Sequence, residues 1–381
     1  MADNIQVVRD TRLWVSTATG ASPTYSPSNT WEIEIQNDFS FSQDNNTSDI
    51  TVEEGGAAPA RGSKRFNDSL NPADWSFATY LQPYSSTAYS AVTTPDAIMW
   101  HSLASSAPFD LATAGGVSGN DVNMLVNFVG NSVHVLNKFD LIFNVDNVWY
   151  KITDCQAGSA AINVDITDLG MVTWTGQGTT LIPLTSAPFD PATDTTVYTA
   201  EALSAPYIEN RLTTMVVINN DGSVAYEVPI TSANLDINNN ITYLTPTTLA
   251  RLDKPVASYT GNFDVSGTLE AYLRTNATGD GGTAELLEDM LAASSVTNSY
   301  TIAICMGGRY NQPSPGVVLV MDLAHLSIPT IDTGDMLTTS IEMKGIPSDF
   351  SAGDEVYIGM SPVYTDTIIE TLITTGDGKV V

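Results

Sequence analysis

Ser76-Phe77-Ala78-Thr79-Tyr80-Leu81 and Thr268-Leu269-Glu270-Ala271-Tyr272-Leu273 are two alternating stretches of one pattern, ending alike in Tyr-Leu. A period of two places one apolar face inward and one polar face outward, the signature of a half-buried β-strand. Upstream, each is preceded by a long loop rich in Gly, Pro, Arg and Lys, Asp44 to Phe66 in one case and Asn238 to Ser258 in the other. Before those stand Phe39-Ser40-Phe41 and Leu235-Asp236-Ile237, each opening an Asn-rich run. Downstream, each is followed by a short helical pattern, Ala97 to Ser105 and Glu285 to Ala293, and then by further strands. Trp149 to Gly178 lies on Val318 to Pro347 without a gap, so that Met171-Val172-Thr173-Trp174-Thr175-Gly176 falls on Ser340-Ile341-Glu342-Met343-Lys344-Gly345. Individual identities are common strand residues; it is their order, repeated in full, that argues for an internal duplication. The duplication predicts that the Tyr80 and Tyr272 strands, and the helices at Leu103 and Leu291, take equivalent places.

The rest of the chain has the same texture. Trp31, Ile33 and Ile35 alternate with Glu32 and Glu34. Leu141 to Val145, Asp146-Asn147 and Val148 to Ile152 read as a hairpin with its turn at the polar pair. Met215 to Ile218 and Val224 to Val228 flank Asn219-Asn220-Asp221-Gly222, a second hairpin; a calcium loop there would need a different spacing. Thr94-Pro95-Asp96 is a helix start. Thr179 to Ala200, with Pro183, Pro188 and Pro191, has linker composition. The first copy is longer than the second by an insertion at Ala107 to Gly119. The residues after Phe350 are too few for a further domain, and Ile368-Ile369 with Leu372-Ile373 read as one added strand.

Composition narrows the function. The chain has 381 residues and 43 Asp+Glu against 14 Lys+Arg, a net charge of −29. That length suits about two domains. Such a balance repels nucleic-acid phosphates and anionic membranes. A hydrophobic content of 43% places the acid on folded surface rather than in a disordered chain. The first residues lack the basic and apolar regions of a signal peptide, which predicts folding in a cytoplasm. Cys155 and Cys305 read as separate buried thiols, with a single bridge as the alternative.

No catalytic constellation emerges. His101, His134 and His325 are far apart and outside any metal-binding spacing. Gly376-Asp377-Gly378-Lys379 lacks the upstream Gly and the following Ser/Thr of a phosphate loop. There is no nucleophile elbow. No catalytic, cofactor or metal residue is assigned.

The repeated unit resembles the tail tube proteins of long-tailed bacteriophages, in the form that carries two tube modules in one chain. The resemblance rests on Phe39 to Leu81 and Leu235 to Leu273, and on the closing strands Asp165 to Gly176 and Gly334 to Gly345. It implies a mainly β fold of two tandem β-sandwich modules, each with one flanking α-helix and a long inter-strand loop. Residues 1–180 would form the first module, 181–202 a linker, 203–350 the second module and 351–381 a C-terminal extension. It implies a structural virion protein that polymerises as stacked rings, trimers mimicking hexamers, into a tube through which DNA passes. Its partners would be itself, other tail proteins at the tube ends, a tape-measure protein inside during assembly, and DNA in transit without specific binding. It would occupy the virion tail, and the host cytoplasm during assembly. On this reading the acidic wall candidates are Glu32, Glu34, Asp236, Asp264, Glu270 and Glu342. The ring-stacking candidates are Arg61, Lys64, Arg65, Arg251, Asp253 and Lys254.

Two other classes compete. A surface-displayed carbohydrate-binding β-sandwich would use Trp31, Trp75, Trp100, Trp149 and Trp174 as stacking platforms. A hydrolase on a β scaffold would need the convergent acid, base or nucleophile set that the sequence lacks.

Overall fold

The computed structural model describes residues 11–20, 22–36, 38–50, 63–86, 91–105, 124–128, 136–196, 203–219, 224–245, 254–275, 281–292, 299–309, 312–327, 330–333 and 336–364. The fold is mainly β. The strands Val148–Asp165 and Gln312–Leu326 are long enough to pass from one layer into the other, which joins 18 strands into one network.

The inner layer is a run of antiparallel strands in the order Ser40–Ile50, Lys64–Tyr80, Met171–Gly178, Val148–Asp165, Ile230–Asn238, Asp264–Tyr272, Leu337–Gly345 and Gln312–Leu326. The first four belong to the first half of the chain and the last four to the second. Each set makes the same pairings in the same order. The seam between them is the pairing of Ile230–Asn238 with Val148–Asp165, from Ser232 opposite Asp165 to Asn238 opposite Ser159.

The outer layer repeats as well. Thr11–Ser16 lies between Thr30–Ile33 and Phe139–Val145, and Thr214–Asn219 lies between Ala225–Val228 and Tyr300–Arg309. The Asp146-Asn147 hairpin is present, with φ of 48° and 66° at the two residues, as a tight two-residue turn requires. Thr180–Leu184 and Tyr357–Tyr364 each follow a closing strand and pair with a long strand, Val148–Asp165 and Gln312–Leu326 respectively. Met124–Asn127, which follows the inserted stretch of the first half, pairs with Tyr357–Tyr364 of the second. The extra strand expected at Ile368 to Ile373 lies outside the described residues.

One apolar cluster runs through both halves, from Trp75, Phe77, Trp100 and Trp174 to Leu235, Val265, Ile302 and Ile341. All six Trp side chains are buried. That removes the exposed stacking platforms on which a sugar-binding reading depends. Cys155 and Cys305 are separate buried thiols. The segment read as linker packs against the first half: Phe189 meets Trp14 and Trp149 edge-on, at 5.4 and 5.6 Å between centroids.

Three expectations need correction. Asp44 to Ile50 and Lys64 to Phe66 are paired strand, not loop, and Ile241–Leu244 pairs with Ala257–Thr260 within the second presumed loop. The register also shifts the match between the copies. Trp174 lies opposite Phe77 and Met343 opposite Gly267, so Tyr80 corresponds to Glu270 and not to Tyr272. A slip of two residues keeps every side chain on its own face, which is why the pattern concealed it. Finally, the helices α1 (Ala97–Ala104) and α2 (Thr283–Ala292) occur at the same point in each half but seat differently. The first packs on Val148–Asp165 and Met124–Asn127, and the second beside Ala225–Val228.

Candidate functional site

The inner layer buries one face and exposes the other. Ala233, Leu235 and Ile237, Val265, Leu269 and Ala271, and Ile341 and Met343 point into the core. Their alternates form the polar face in cross-strand rows: Asp236–Ser266–Lys344, Asn234–Thr268–Glu342 and Ser232–Glu270–Ser340, with Asn238–Asp264 beside them. Four wall candidates, Asp236, Asp264, Glu270 and Glu342, therefore share one face. Asp74 and Asp165 join it from the first half, and neither was among the residues named from the sequence. A groove of about 790 Å³ crosses this face, lined by Ser159, Asn234, Asp236, Thr268, Glu342 and Lys344.

The carboxylates are held by light polar contacts. Lys344 Nζ lies 2.7 Å from Asp264 Oδ1. Ser266 Oγ donates to Asp264 Oδ2 at 3.2 Å, and Ser232 Oγ to Glu270 Oε2 at 3.4 Å. Gln177 Nε2 donates to Asp74 Oδ1 at 2.8 Å. Partial burial, and then the Asp264 charge, push Asp236 above the ordinary carboxylate value. Hydrogen bonds from the Thr167 N–H and hydroxyl hold Asp165 below it. Opposing charge on this face comes from Lys344.

Glu32 and Glu34 are elsewhere. Glu32 stands in the outer layer, where Arg12 grips it with Nε at 2.7 Å and a terminal nitrogen at 2.8 Å. Glu34 follows the same strand and adds its field to Tyr207. Alternation alone gave these residues an outward face without saying outward from which layer.

The stacking candidates fall on two β-arms. Met171–Gly178 pairs with Lys64–Tyr80 only as far as Ala73, so Asn45–Ile50 and Lys64–Leu70 project beyond the sheet. Lys64 is exposed opposite Ile50, and Arg65 Nε lies 2.7 Å from Asp49 Oδ1. Ile50 and Phe66 are exposed on one face of this arm. The second arm, Ile241–Leu244 with Ala257–Thr260, exposes Leu244 and Tyr259 on one face, and Lys254 lies between its two strands in sequence. Its other face is anchored, since Tyr243 Oη lies 2.7 Å from the Asp154 carbonyl and 3.0 Å from that of Gln177. Arg61, Arg251 and Asp253 lie outside the described residues.

A continuous polar-faced sheet with projecting arms, no convergent catalytic set among the described residues, and open strands at its ends is the design of a β protein that builds assemblies. The chain matches the phage tail tube protein family over residues 17–345. It belongs to that family and is a structural protein of the bacteriophage tail. It is 45% identical over 379 residues to the tail tube protein pb6 of Escherichia phage T5, an alignment covering 98% of this chain and 80% of that protein.

Proposed function

We propose that three copies of this chain close into a ring that mimics a hexamer, and that rings stack into a tube through which DNA passes. The observation that carries this is the seam inside the chain. Ile230–Asn238 of the second half already continues the sheet of the first half along Val148–Asp165. By the same pairing rule, Ser40–Ile50 of one copy would continue the sheet along Thr330–Thr333 of the next, which pairs with Leu337–Gly345 and corresponds to the seam end of Val148–Asp165. Ring closure of this kind removes sheet edges. The two halves are then two tube modules, residues 1–180 and 203–350, with 181–202 joining them. The strand at Tyr357–Tyr364 extends the second module into the 351–381 extension.

On this reading the polar face lines the channel. Asp74, Asp165, Asp236, Asp264, Glu270 and Glu342 outweigh Lys344 there, and a net negative wall prevents the counterion-release binding that would hold DNA in place. During assembly the channel would house a tape-measure protein, and other tail proteins would cap the tube ends. The chain would act without enzymatic chemistry. Electron microscopy of the purified protein tests the reading: rings or tubes with a central hole, and three chains per ring by native mass spectrometry, are expected. Protein that remains monomeric at all concentrations would refute it.

A further inference from the structure

Among the described residues, each edge of the outer layer is closed, and by a different device. Thr30–Ile33 pairs with Thr11–Ser16 on one side. On its other side Thr196 N–H donates to the Thr30 carbonyl at 2.9 Å, and Glu32 N–H to the Thr196 carbonyl at 3.1 Å. Ala225–Val228 is met on its free side by Gly281, whose carbonyl accepts the Glu227 N–H at 3.1 Å. The approach is close, since a Cβ at Gly281 would run into the Tyr226 ring.

The third edge is Thr180–Leu184, and the Gln43 side chain lies along it. Leu181 N–H donates to Gln43 Oε1 at 2.9 Å, and Gln43 Nε2 donates to the Thr179 carbonyl at 3.1 Å and the Asn71 carbonyl at 2.8 Å. Two residues on stands Pro183, which has no N–H to offer a further strand. The fourth edge is Tyr357–Tyr364. Met124–Asn127 of the first half covers it from Tyr357 to Met360, and Pro362 stands in the part beyond. The cover is anchored by buried Val126 and Phe128, the latter 4.9 Å from the Phe263 ring. At four residues it is itself a short edge, which invites no partner.

The inner layer ends otherwise. Among the described residues Ser40–Ile50 pairs only with Lys64–Tyr80, and Thr330–Thr333 only with Leu337–Gly345.

We infer that the outer layer is sealed against strand pairing, so that a second copy of this chain adds through the inner layer alone. The inference deepens the ring reading above and rests on it for the joint between copies. An open edge is a template for any other chain. Open outer edges would join rings side by side, whereas sealed ones leave a copy only the edges that close a ring. The two halves divide the sealing between them. The second half has no counterpart of Met124–Asn127, since only residues 293–299 separate Thr283–Ala292 from Tyr300–Arg309. By the symmetry of the halves, such a strand would cover Thr180–Leu184 of the next copy. That is the edge closed by Gln43 and Pro183 instead.

Two variants each open one edge. Gln43→Ala with Pro183→Val opens Thr180–Leu184, and Leu125→Pro lifts Met124–Asn127 off Tyr357–Tyr364. Circular dichroism checks each fold; neither Gln43 nor Pro183 is buried, so the first variant carries the test if the second does not fold. Wild-type rings should stay separate at concentrations where the opened variants join side by side. Sedimentation should then give at least twice the mass of one ring, and microscopy should show lateral contacts. In the joined Leu125→Pro protein, the amides of Tyr357–Tyr364 should regain protection from exchange. Opened variants that stay separate at every concentration would overturn the inference and leave the ring reading standing, and lateral joining of the wild type would do the same. Wild-type protein that forms no ring would overturn the ring reading; opened monomers that associate where wild-type monomers do not would still uphold the sealing.

Discussion

Lys151 Nζ lies 2.6 Å from Asp140 Oδ2, and neither side chain reaches water to any extent. Asp140 also accepts the Asp154 N–H at 2.9 Å, and Lys151 donates to Tyr25 Oη at 3.3 Å. Burial works against the ammonium, yet the Asp140 carboxylate, together with Tyr25, holds Lys151 above the ordinary lysine value. Removing one partner strands the other charge. Asp140→Ala should cost about 3–5 kcal/mol by urea unfolding, and Asp140→Leu with Lys151→Met should recover most of it. Equal losses in the single and double variants would show that packing, not charge, matters there.

Tyr243→Phe tests the anchor of the second arm. One hydroxyl proton is shared between the carbonyls of Asp154 and Gln177, and its loss leaves both without that donor. A loss of about 1–3 kcal/mol is expected. Amide exchange should quicken at Ile241–Leu244 and Ala257–Thr260 before it does elsewhere. Exchange that quickens uniformly would mean that the hydroxyl supports the fold as a whole.

Acid stability should carry opposing contributions from α1. Burial raises Asp96 to about 7, against hydrogen bonds from Thr79, and lowers His101 to about 4. The folded protein therefore binds the Asp96 proton more tightly than the unfolded chain does. That contribution is complete below the unfolded carboxylate value and is lost as pH rises to about 7. The His101 contribution has the other sign: it is complete above the ordinary histidine value and is lost as pH falls to about 4. Over the shared window they offset each other. Asp96→Asn should leave His101 unopposed, so thermal stability should fall more steeply below neutral pH than in the wild type. Parallel curves would contradict the assignment.

Glu270→Lys probes the proposed wall. Glu270 is exposed on the polar face, in the row nearest Tyr272, so stability should change by less than about 0.5 kcal/mol and assembly should survive. Assembled tubes should acquire DNA binding that weakens as salt rises. Tubes that assemble normally and bind no DNA at low salt would place Glu270 outside the channel.

Where a strand has one dry face and one wet face, its pattern is legible in the sequence, and the alternation at Phe77 and Leu269 led to the inner sheet and to four of its acids. The arms were read as loops because both faces of Asn45–Ile50 and Lys64–Leu70 meet water, and a strand without a dry side has no period to detect. Glu32 falls apart from those four for a related reason: its alternation is real, but its strand lies in the outer layer against Arg12. Met124–Asn127 was invisible because four residues cannot establish a pattern. The two-residue slip between Tyr80 and Tyr272 was hidden because strand periodicity repeats every two residues.

The halves of the chain exchange strands in both directions. Ile230–Asn238 of the second half lies on the inner sheet of the first, and Met124–Asn127 of the first half completes the outer sheet of the second. Two such splices, one in each layer, tie the described parts of the two halves together. In a tube assembled from these copies, flexure is confined to the joints between chains and between rings. The rod then bends as a stack of stiff washers does, by many small tilts, while the bore within each ring keeps its diameter.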